Sequence, residues 1–389
     1  MTSPLPPFDW DIFCTVVDNF GDIGVTWRLA RQLKQEGHGQ VRLWVDDLAS
    51  FARICPGLDP AQDGQWVDDI YVQHWHDRLP ADMTPARVVI EAFACELPAP
   101  FIACMAEQTT PPCWINLEYL CAEAWVEDCH GLASPRRVGS KRLDKYFFFP
   151  GFTAKTGGLL CERGLIAERD RWQQDEAGLA AYWASLGLPP KEESELRISL
   201  FAYESEAIRS LVIDWQASPI PITLLLPLGR AVPDVLRGLG LEGERVQPGD
   251  LLRAGSLAVK LLPMTSQAGY DRLLWSCDLN LVRGEDSFVR AQWAARPFLW
   301  HIYPQEEQAH MVKLDSFLDH YLAGLPQETA SWLRAFNHAL NQGENTRELW
   351  GQWPRHCAGW RQYGRDWSHK LHRDGDLVTR LVKFLESRI

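Results

Sequence analysis

Short apolar runs, each closed by a polar turn and followed by a stretch with helical spacing of apolar residues, recur through this chain. Such a run, rich in β-branched and aromatic residues, reads as a strand, and apolar residues at i, i+4 and i+8 read as a helix. The spacing predicts strands over 11–17, 41–45, 66–72, 87–93, 113–117 and 146–149. Between them lie a helix with Val25, Leu29 and Leu33 on one face and helices over 48–54 and 100–107. A helical segment over 169–186 then leads into Gly187-Leu188-Pro189-Pro190-Lys191-Glu192-Glu193, which has the composition of a linker. The alternation restarts beyond it, with strands over 196–201, 222–226, 257–262, 279–282 and 298–302 and helices over 205–215 and 266–275. From Glu306 onward the pattern is helical, and the last helix carries Leu377, Leu381, Phe384 and Leu385 along one side. Strands alternating with helices mean βαβ units around a parallel sheet.

At 389 residues the chain is longer than one core usually serves, so the expectation is two α/β domains of Rossmann-like design. We place the amino-terminal lobe at 1–187, the carboxy-terminal lobe at 188–360, and a final helical segment at 361–389.

Composition narrows the function. A formal charge of −12 disfavours a nucleic-acid partner, because a phosphate backbone needs a basic face. No run approaches the roughly 18 apolar residues of a membrane span, and the first residues have neither the basic nor the apolar part of a secretory signal. The expected location is the cytoplasm. The ten cysteines include no Cys-x-x-Cys pair and have no histidine at zinc-site spacing, so reduced and mostly buried thiols are expected, with no metal.

Two polar turns stand at the carboxyl ends of predicted strands, one in each half. The later one is Arg283-Gly284-Glu285-Asp286-Ser287, after a strand with Leu279, Leu281 and Val282 and before a helix with Val289, Trp293 and Ala294. A strand that ends in glycine and a helix start offers backbone N–H groups and the positive end of a helix dipole, which suits a phosphate. Arg283 adds a fork-shaped cation that pairs with phosphate oxygens. The earlier turn is Asp18-Asn19-Phe20-Gly21-Asp22-Ile23-Gly24, where Gly21 lets the backbone fold tightly. Asp22 there reads either as the N-cap of the helix that follows or as a carboxylate placed to accept a proton.

These two turns resemble those of the elongation factor P arginine rhamnosyltransferases. The likeness extends to Ser199-Leu200-Phe201-Ala202-Tyr203-Glu204, to Gln267 ahead of Tyr270-Asp271-Arg272-Leu273-Leu274-Trp275, and to Trp300-His301-Ile302-Tyr303-Pro304-Gln305, all in family order. The resemblance implies a GT-B glycosyltransferase fold, two Rossmann-like lobes facing a cleft, with C-terminal helices packing back toward the N-terminal lobe. It implies an inverting transfer of L-rhamnose from dTDP-β-L-rhamnose to an arginine of elongation factor P, which activates that factor for relief of polyproline stalling. It implies no cofactor besides the nucleotide-sugar donor.

On the same ground, Asp22, Asp18 and Glu285 are the expected catalytic carboxylates. The donor is expected against Asn19, Phe20, Gly21, Phe201, Tyr203, Gln267, Arg283, Gly284, Glu285, Asp286, Ser287 and Tyr303. Phe201 and Tyr203 would pack on the thymine, Gln267 would bond the base or ribose, and Tyr303 would meet the diphosphate. Glu285 would be repelled by a diphosphate, so its carboxylate is expected to face the sugar or the incoming arginine. Two other readings compete: a GT-B enzyme that uses another nucleotide sugar on a small molecule or lipid, and a non-catalytic nucleotide-binding module.

Overall fold

The first strand, β1 (Trp10–Cys14), is buried on both faces: Ile12 packs on one side of its sheet and Phe13 on the other. That is why its sequence is a continuous apolar run rather than an alternating one. The structure is a computed structural model that describes residues 8–17, 20–76, 79 and 83–388. It divides into two compact units, Met1–Arg163 with Leu371–Ile389, and Gly164–Lys370.

The first unit continues with β2 (Val41–Val45), β3 (Gly64–Val67), β4 (Ile70–His74), β5 (Val88–Ala92), β6 (Cys113–Leu117), β7 (Ala133–Val138) and β8 (Lys141–Phe148). They form one sheet in the order β3-β4-β2-β1-β5-β6-β8-β7, parallel except for the two edge strands, β3 and β7. Residues 66–72, expected as one strand, form two. The chain reverses at Asp68 and Asp69, both in the left-handed region (φ 49° and 60°), which aspartate tolerates better than most residues. The strand expected at 146–149 is the end of the longer β8, and β7 before it is an edge that the apolar pattern does not reveal.

Inside the sheet the carboxylate of Asp11 is fully buried. It accepts hydrogen bonds from Arg42 Nε (2.6 Å) and Nη2 (2.9 Å), Trp44 Nε1 (2.8 Å) and the Ala86 N–H (2.8 Å), which ties β1 to β2 and to the approach of β5.

The second unit holds β9 (Leu196–Leu200), β10 (Ile222–Pro227), β11 (Leu251–Ala254), β12 (Leu257–Leu262), β13 (Leu279–Arg283) and β14 (Phe298–His301). Their order is β11-β12-β10-β9-β13-β14, with only β11 antiparallel. The unit begins at Gly164, earlier than the expected 187/188 boundary. The Pro/Gly segment at 187–193 belongs to its interior: Leu188 is a core residue, Arg197 Nη2 donates to the Pro189 carbonyl at 2.8 Å, and Lys191 pairs with Asp278 at 3.3 Å. Proline and glycine there mark turns, not a stretch where contacts fade.

The carboxyl-terminal crossing falls after Lys370 rather than after residue 360. Trp367 Nε1 donates to Gln292 Oε1 at 2.6 Å, and Arg169 Nη1 donates to Ser368 Oγ at 2.8 Å, both within the second unit. Helix Leu377–Glu386 then packs in the first unit's core through Leu377, Val378, Leu381 and Leu385. Each of these buried side chains contributes about 1.5–3 kcal/mol. Asp376 caps the helix by accepting from the Val378 and Thr379 N–H groups.

Replacing Asp11 by alanine leaves Arg42 buried without its carboxylate. The expected cost is about 3–5 kcal/mol, read as a lower urea midpoint for the first unit's transition. A change below about 1 kcal/mol would show that water reaches Arg42 and takes over the pairing.

Candidate active site

In the first sheet β1 lies between β2 and β5, so the winding reverses there, and in the second β9 lies between β10 and β13. At such a reversal the loops leaving the two central strands part, opening the crevice in which doubly wound sheets bind ligands. The loops in question are those after β1 and β5 in the first unit and those after β9 and β13 in the second. The earlier polar turn belongs to the first pair, and the later one to the second.

Asp18 and Asn19 lie outside the described residues. Phe20 holds the N-cap position of helix Gly21–Gln35, and Asp22 stands in its first turn. Asp22 is therefore not the N-cap. Its buried carboxylate reaches back instead: Oδ2 accepts the Val17 N–H at 2.9 Å and Oδ1 accepts the Tyr119 hydroxyl at 3.0 Å. An anion in a first turn is favoured by the helix dipole.

Tyr119 follows β6 and stacks on Phe93, with centroids 4.4 Å apart and rings inclined by 17°. Phe93 and Ala94, just after β5, both sit in the left-handed region (φ 57° and 52°). Non-glycine residues there cost on the order of 1–3 kcal/mol each, and such strain concentrates at functional sites. Here it turns Phe93 under the ring that holds Asp22.

In the second unit Arg283 ends β13, Gly284 turns the chain at φ 62°, and Glu285 holds the N-cap position of helix Asp286–Ala294. The turn is clamped from several sides. Ser287 Oγ accepts the Arg283 N–H at 3.1 Å and donates to the Arg283 carbonyl, and Trp300 Nε1 donates to the Gly284 carbonyl at 3.0 Å. Phe288 stacks on Trp300 at 3.8 Å.

Two buried arginines fix the helix itself. Arg290 pairs bidentately with Asp271 at 2.8 Å for both bonds, and Arg169 Nη1 donates to the Trp293 carbonyl at 2.7 Å. A cation at that carboxyl end complements the dipole, so the helix start is left aimed at the turn.

Arg283 lies over two rings, 4.3 Å from the centroid of Phe201 and 4.8 Å from that of Tyr203, with Nη1 3.4 Å from the Ala202 carbonyl oxygen. Stacking engages the face of the guanidinium, and its N–H groups point in its plane, where oxygen acceptors are met. Tyr203 is only 2% exposed, under Arg283, His301, Tyr303 and Arg230. As the side chains stand, Tyr203 supports Arg283 rather than offering a face to a base. Phe201 is half-buried and meets Tyr270 edge-on at 5.8 Å, and Tyr303 is 50% exposed. Gln267 is buried and opens helix Gln267–Ser276, one turn before Tyr270. Gly284, Glu285 and Asp286 are half-buried, and Ser287 is buried.

The structure thus gathers Phe201, Tyr203, Arg283, Gly284, Glu285, Asp286, Ser287 and Tyr303 at one switch point, and Phe20, Gly21 and Asp22 at the other. Sequence reasoning missed Tyr119, Arg230 and His301, and the Asp271–Arg290 pair. Tyr119 stands two residues past the strand predicted at 113–117, and its place at a strand's carboxyl end is the signal that could have found it. Burial first, then the charge of Arg283 and of His310, hold His301 down to about 4.

A family model described as Elongation-Factor P (EF-P) rhamnosyltransferase EarP matches residues 10–386. Protein-arginine rhamnosyltransferases of Pseudomonas aeruginosa and Shewanella oneidensis are 50% and 46% identical to the chain, over 96% and 97% of it and 98% and 97% of their own lengths. A solved structure that gives the basis for EarP-mediated arginine glycosylation of translation elongation factor EF-P is 35% identical. It matches with a TM-score of 0.69 over 98% of this chain and 99% of that one. A glycosyltransferase of Rickettsia africae, 10% identical, shares the fold at a TM-score of 0.50 over 98% of each chain. The fold is that of the GT-B glycosyltransferases.

His301 carries a pH dependence with a definite sign. In the unfolded chain it titrates near the ordinary value of about 6.5 and in the fold near 4, so the unfolded state binds more protons between those limits. Its neutral form is fully stabilising above about pH 6.5, and that stability is lost as pH falls toward 4. Between pH 6.5 and 4.5 the parent should lose up to ~1.4 kcal/mol per pH unit more than His301→Gln, measured by urea unfolding at each pH. Equal slopes would place a protonated imidazole at this position.

Proposed function

Because the chain belongs to the Elongation-Factor P (EF-P) rhamnosyltransferase EarP family, we propose that it transfers L-rhamnose from dTDP-β-L-rhamnose to an arginine side chain of elongation factor P. The transfer inverts the anomeric carbon, acts in the cytoplasm and relieves stalling at consecutive prolines. One observation carries the reading: the two switch points hold complementary chemistry, a carboxylate at Asp22 and a cation with a helix start at Arg283–Asp286.

Arg283 and the start of helix Asp286–Ala294 hold the diphosphate and stabilise the charge that grows on it as the C–O bond breaks. Phe201 lies against the thymine, Gln267 bonds base or ribose, and Tyr303 meets the diphosphate. Tyr203 sets the angle of Arg283 from below. Glu285 faces the sugar or the acceptor.

A guanidinium is a poor nucleophile while protonated, and no carboxylate deprotonates it fully beforehand. Asp22 therefore orients it. As a guanidinium nitrogen bonds to the anomeric carbon on the face opposite the leaving group, its proton passes to Asp22 and dTDP departs with the electron pair. Tyr119 and the Val17 N–H keep the Asp22 carboxylate in one orientation while it waits. The scheme asks for no metal, and Asp18 is proposed as a second holder of the guanidinium.

Intact-mass spectrometry of elongation factor P after incubation with dTDP-β-L-rhamnose should show the mass of one rhamnose added. Tighter binding of UDP than of dTDP, with no added mass, would instead support transfer from another sugar nucleotide. Arg283→Ala should weaken dTDP by about 1.5–3 kcal/mol in calorimetry. Unchanged affinity would remove Arg283 from the diphosphate.

For Asp22→Asn the fold should hold, because an asparagine oxygen can accept the Val17 N–H while its amide donates to the Tyr119 oxygen. The dTDP affinity should survive and kcat should fall by about 10²–10⁴. Turnover within about threefold of the parent would end the assignment of Asp22 as base.

A further inference from the structure

The β3–β4 hairpin carries three side chains able to bind a metal, and the reaction above uses none of them. Asp63 precedes β3 and stands opposite His74, the last residue of β4, whose N–H donates to the Asp63 carbonyl at 2.7 Å. His76 follows two residues later, so along an extended chain it shares a side with His74, while Trp75 between them packs in the core. The two imidazoles meet edge to face, with centroids 5.1 Å apart and planes at 83°. One ligand atom from each of Asp63, His74 and His76 lies within 4.8 Å of the others. Among the described residues no other three His, Cys, Asp or Glu side chains converge in this way.

The bonds of His74 fix its chemistry. Nε2 is 3.0 Å from the Asp46 carbonyl oxygen, which can only accept, so Nε2 carries a proton. Nδ1 then faces the Asp63 carboxylate at 3.3 Å. A lone pair at Nδ1 would be repelled by that carboxylate, and a cation between the two removes the repulsion. A second imidazole, that of His76, stands beside them, so one ion can be shared by three ligand atoms. A ring N–H on a backbone carbonyl is also how metal-binding histidines are oriented and made more basic. The 3.3 Å separation matches the roughly 3.3–3.4 Å between two ligands of a tetrahedral ion bound at about 2.0–2.1 Å.

We propose that Asp63, His74 and His76 form a site for a divalent transition ion of the zinc type, with its fourth position open to water. Two imidazoles and one carboxylate suit zinc, nickel or copper, whereas magnesium and calcium prefer shells made of oxygen. The ion ties both strands of the hairpin together and, through His74, joins them to Asp46 at the end of β2. The Asp46 carboxylate accepts the Val16 N–H at 2.9 Å, one residue before the Val17 N–H that holds Asp22. Zinc therefore steadies the hairpin and the base of the Asp22 loop without taking part in transfer.

The test is calorimetric titration of the chelator-stripped full-length chain with zinc chloride, followed by absorption spectroscopy with cobalt(II). The parent should bind one equivalent of zinc. Its cobalt form should show ligand-field bands without sulfur-to-metal charge transfer, which separates this site from the ten thiols. His76→Gln and Asp63→Asn both lie on exposed positions, and each should weaken zinc at least about tenfold while circular dichroism and zinc-free transferase activity stay unchanged. Absence of binding by the parent would mean that His74 and Asp63 form a plain ion pair. Variants that bind as tightly as the parent, or a thiolate band in the cobalt spectrum, would equally overturn the site.

Discussion

A parallel sheet wound outward in both directions from a central strand has one place where no crossover connection can lie, and the loops on either side must part there. Both sheets of this chain are built in this way, around β1 and β9. The backbone at a strand's carboxyl end then either enters a helix or turns sharply, and it exposes polar groups that a buried strand could not. Asp22 and Arg283 owe their chemistry to this. Each is the charged residue at a place where the fold already supplies a helix start and a gap.

Around these two points the chain uses buried charge to set position. Taking an ion pair out of water costs about as much as its attraction returns, so Asp271–Arg290 and Asp11–Arg42 add little net stability. Breaking either pair is costly, however, and that asymmetry is what holds geometry. Asp271–Arg290 locks two helices side by side, and Arg169 closes the far end of one of them, so that the start of helix Asp286–Ala294 has one direction. Arg283 is held differently, on the faces of Phe201 and Tyr203, which orient a guanidinium without using up its charge. In the first unit the left-handed Phe93 and Ala94 do comparable work through Tyr119. This is the reverse of ordinary core logic, in which residues adopt relaxed conformations.

Strand and helix positions were legible because they rest on neighbours in the sequence. The runs at 41–45, 113–117 and 257–262 appear in the structure with those bounds, and both polar turns stand at the ends of the strands that point to them. The resemblance to a known family added the identity of the site residues, which periodicity could not. Where reading the pattern failed, the pattern was locally ambiguous. Residues 66–72 are apolar enough for one strand, and only the left-handed Asp68 and Asp69 split them. The Pro/Gly segment at 187–193 has a linker's composition, yet Leu188 fills a core.

The sequence by itself therefore determined two doubly wound α/β halves and the two turns that carry charge, because spacing, turn chemistry and helix starts are written over a few consecutive residues. The tertiary structure alone decided what those charges face. Asp22 turns away from the cap position toward the hydroxyl of Tyr119, and Arg283 settles on the rings of Phe201 and Tyr203. Each of these contacts joins segments far apart in the chain. Which segments meet is set by the order of strands in the sheets and by the packing of their buried faces, and no local stretch of sequence contains that information.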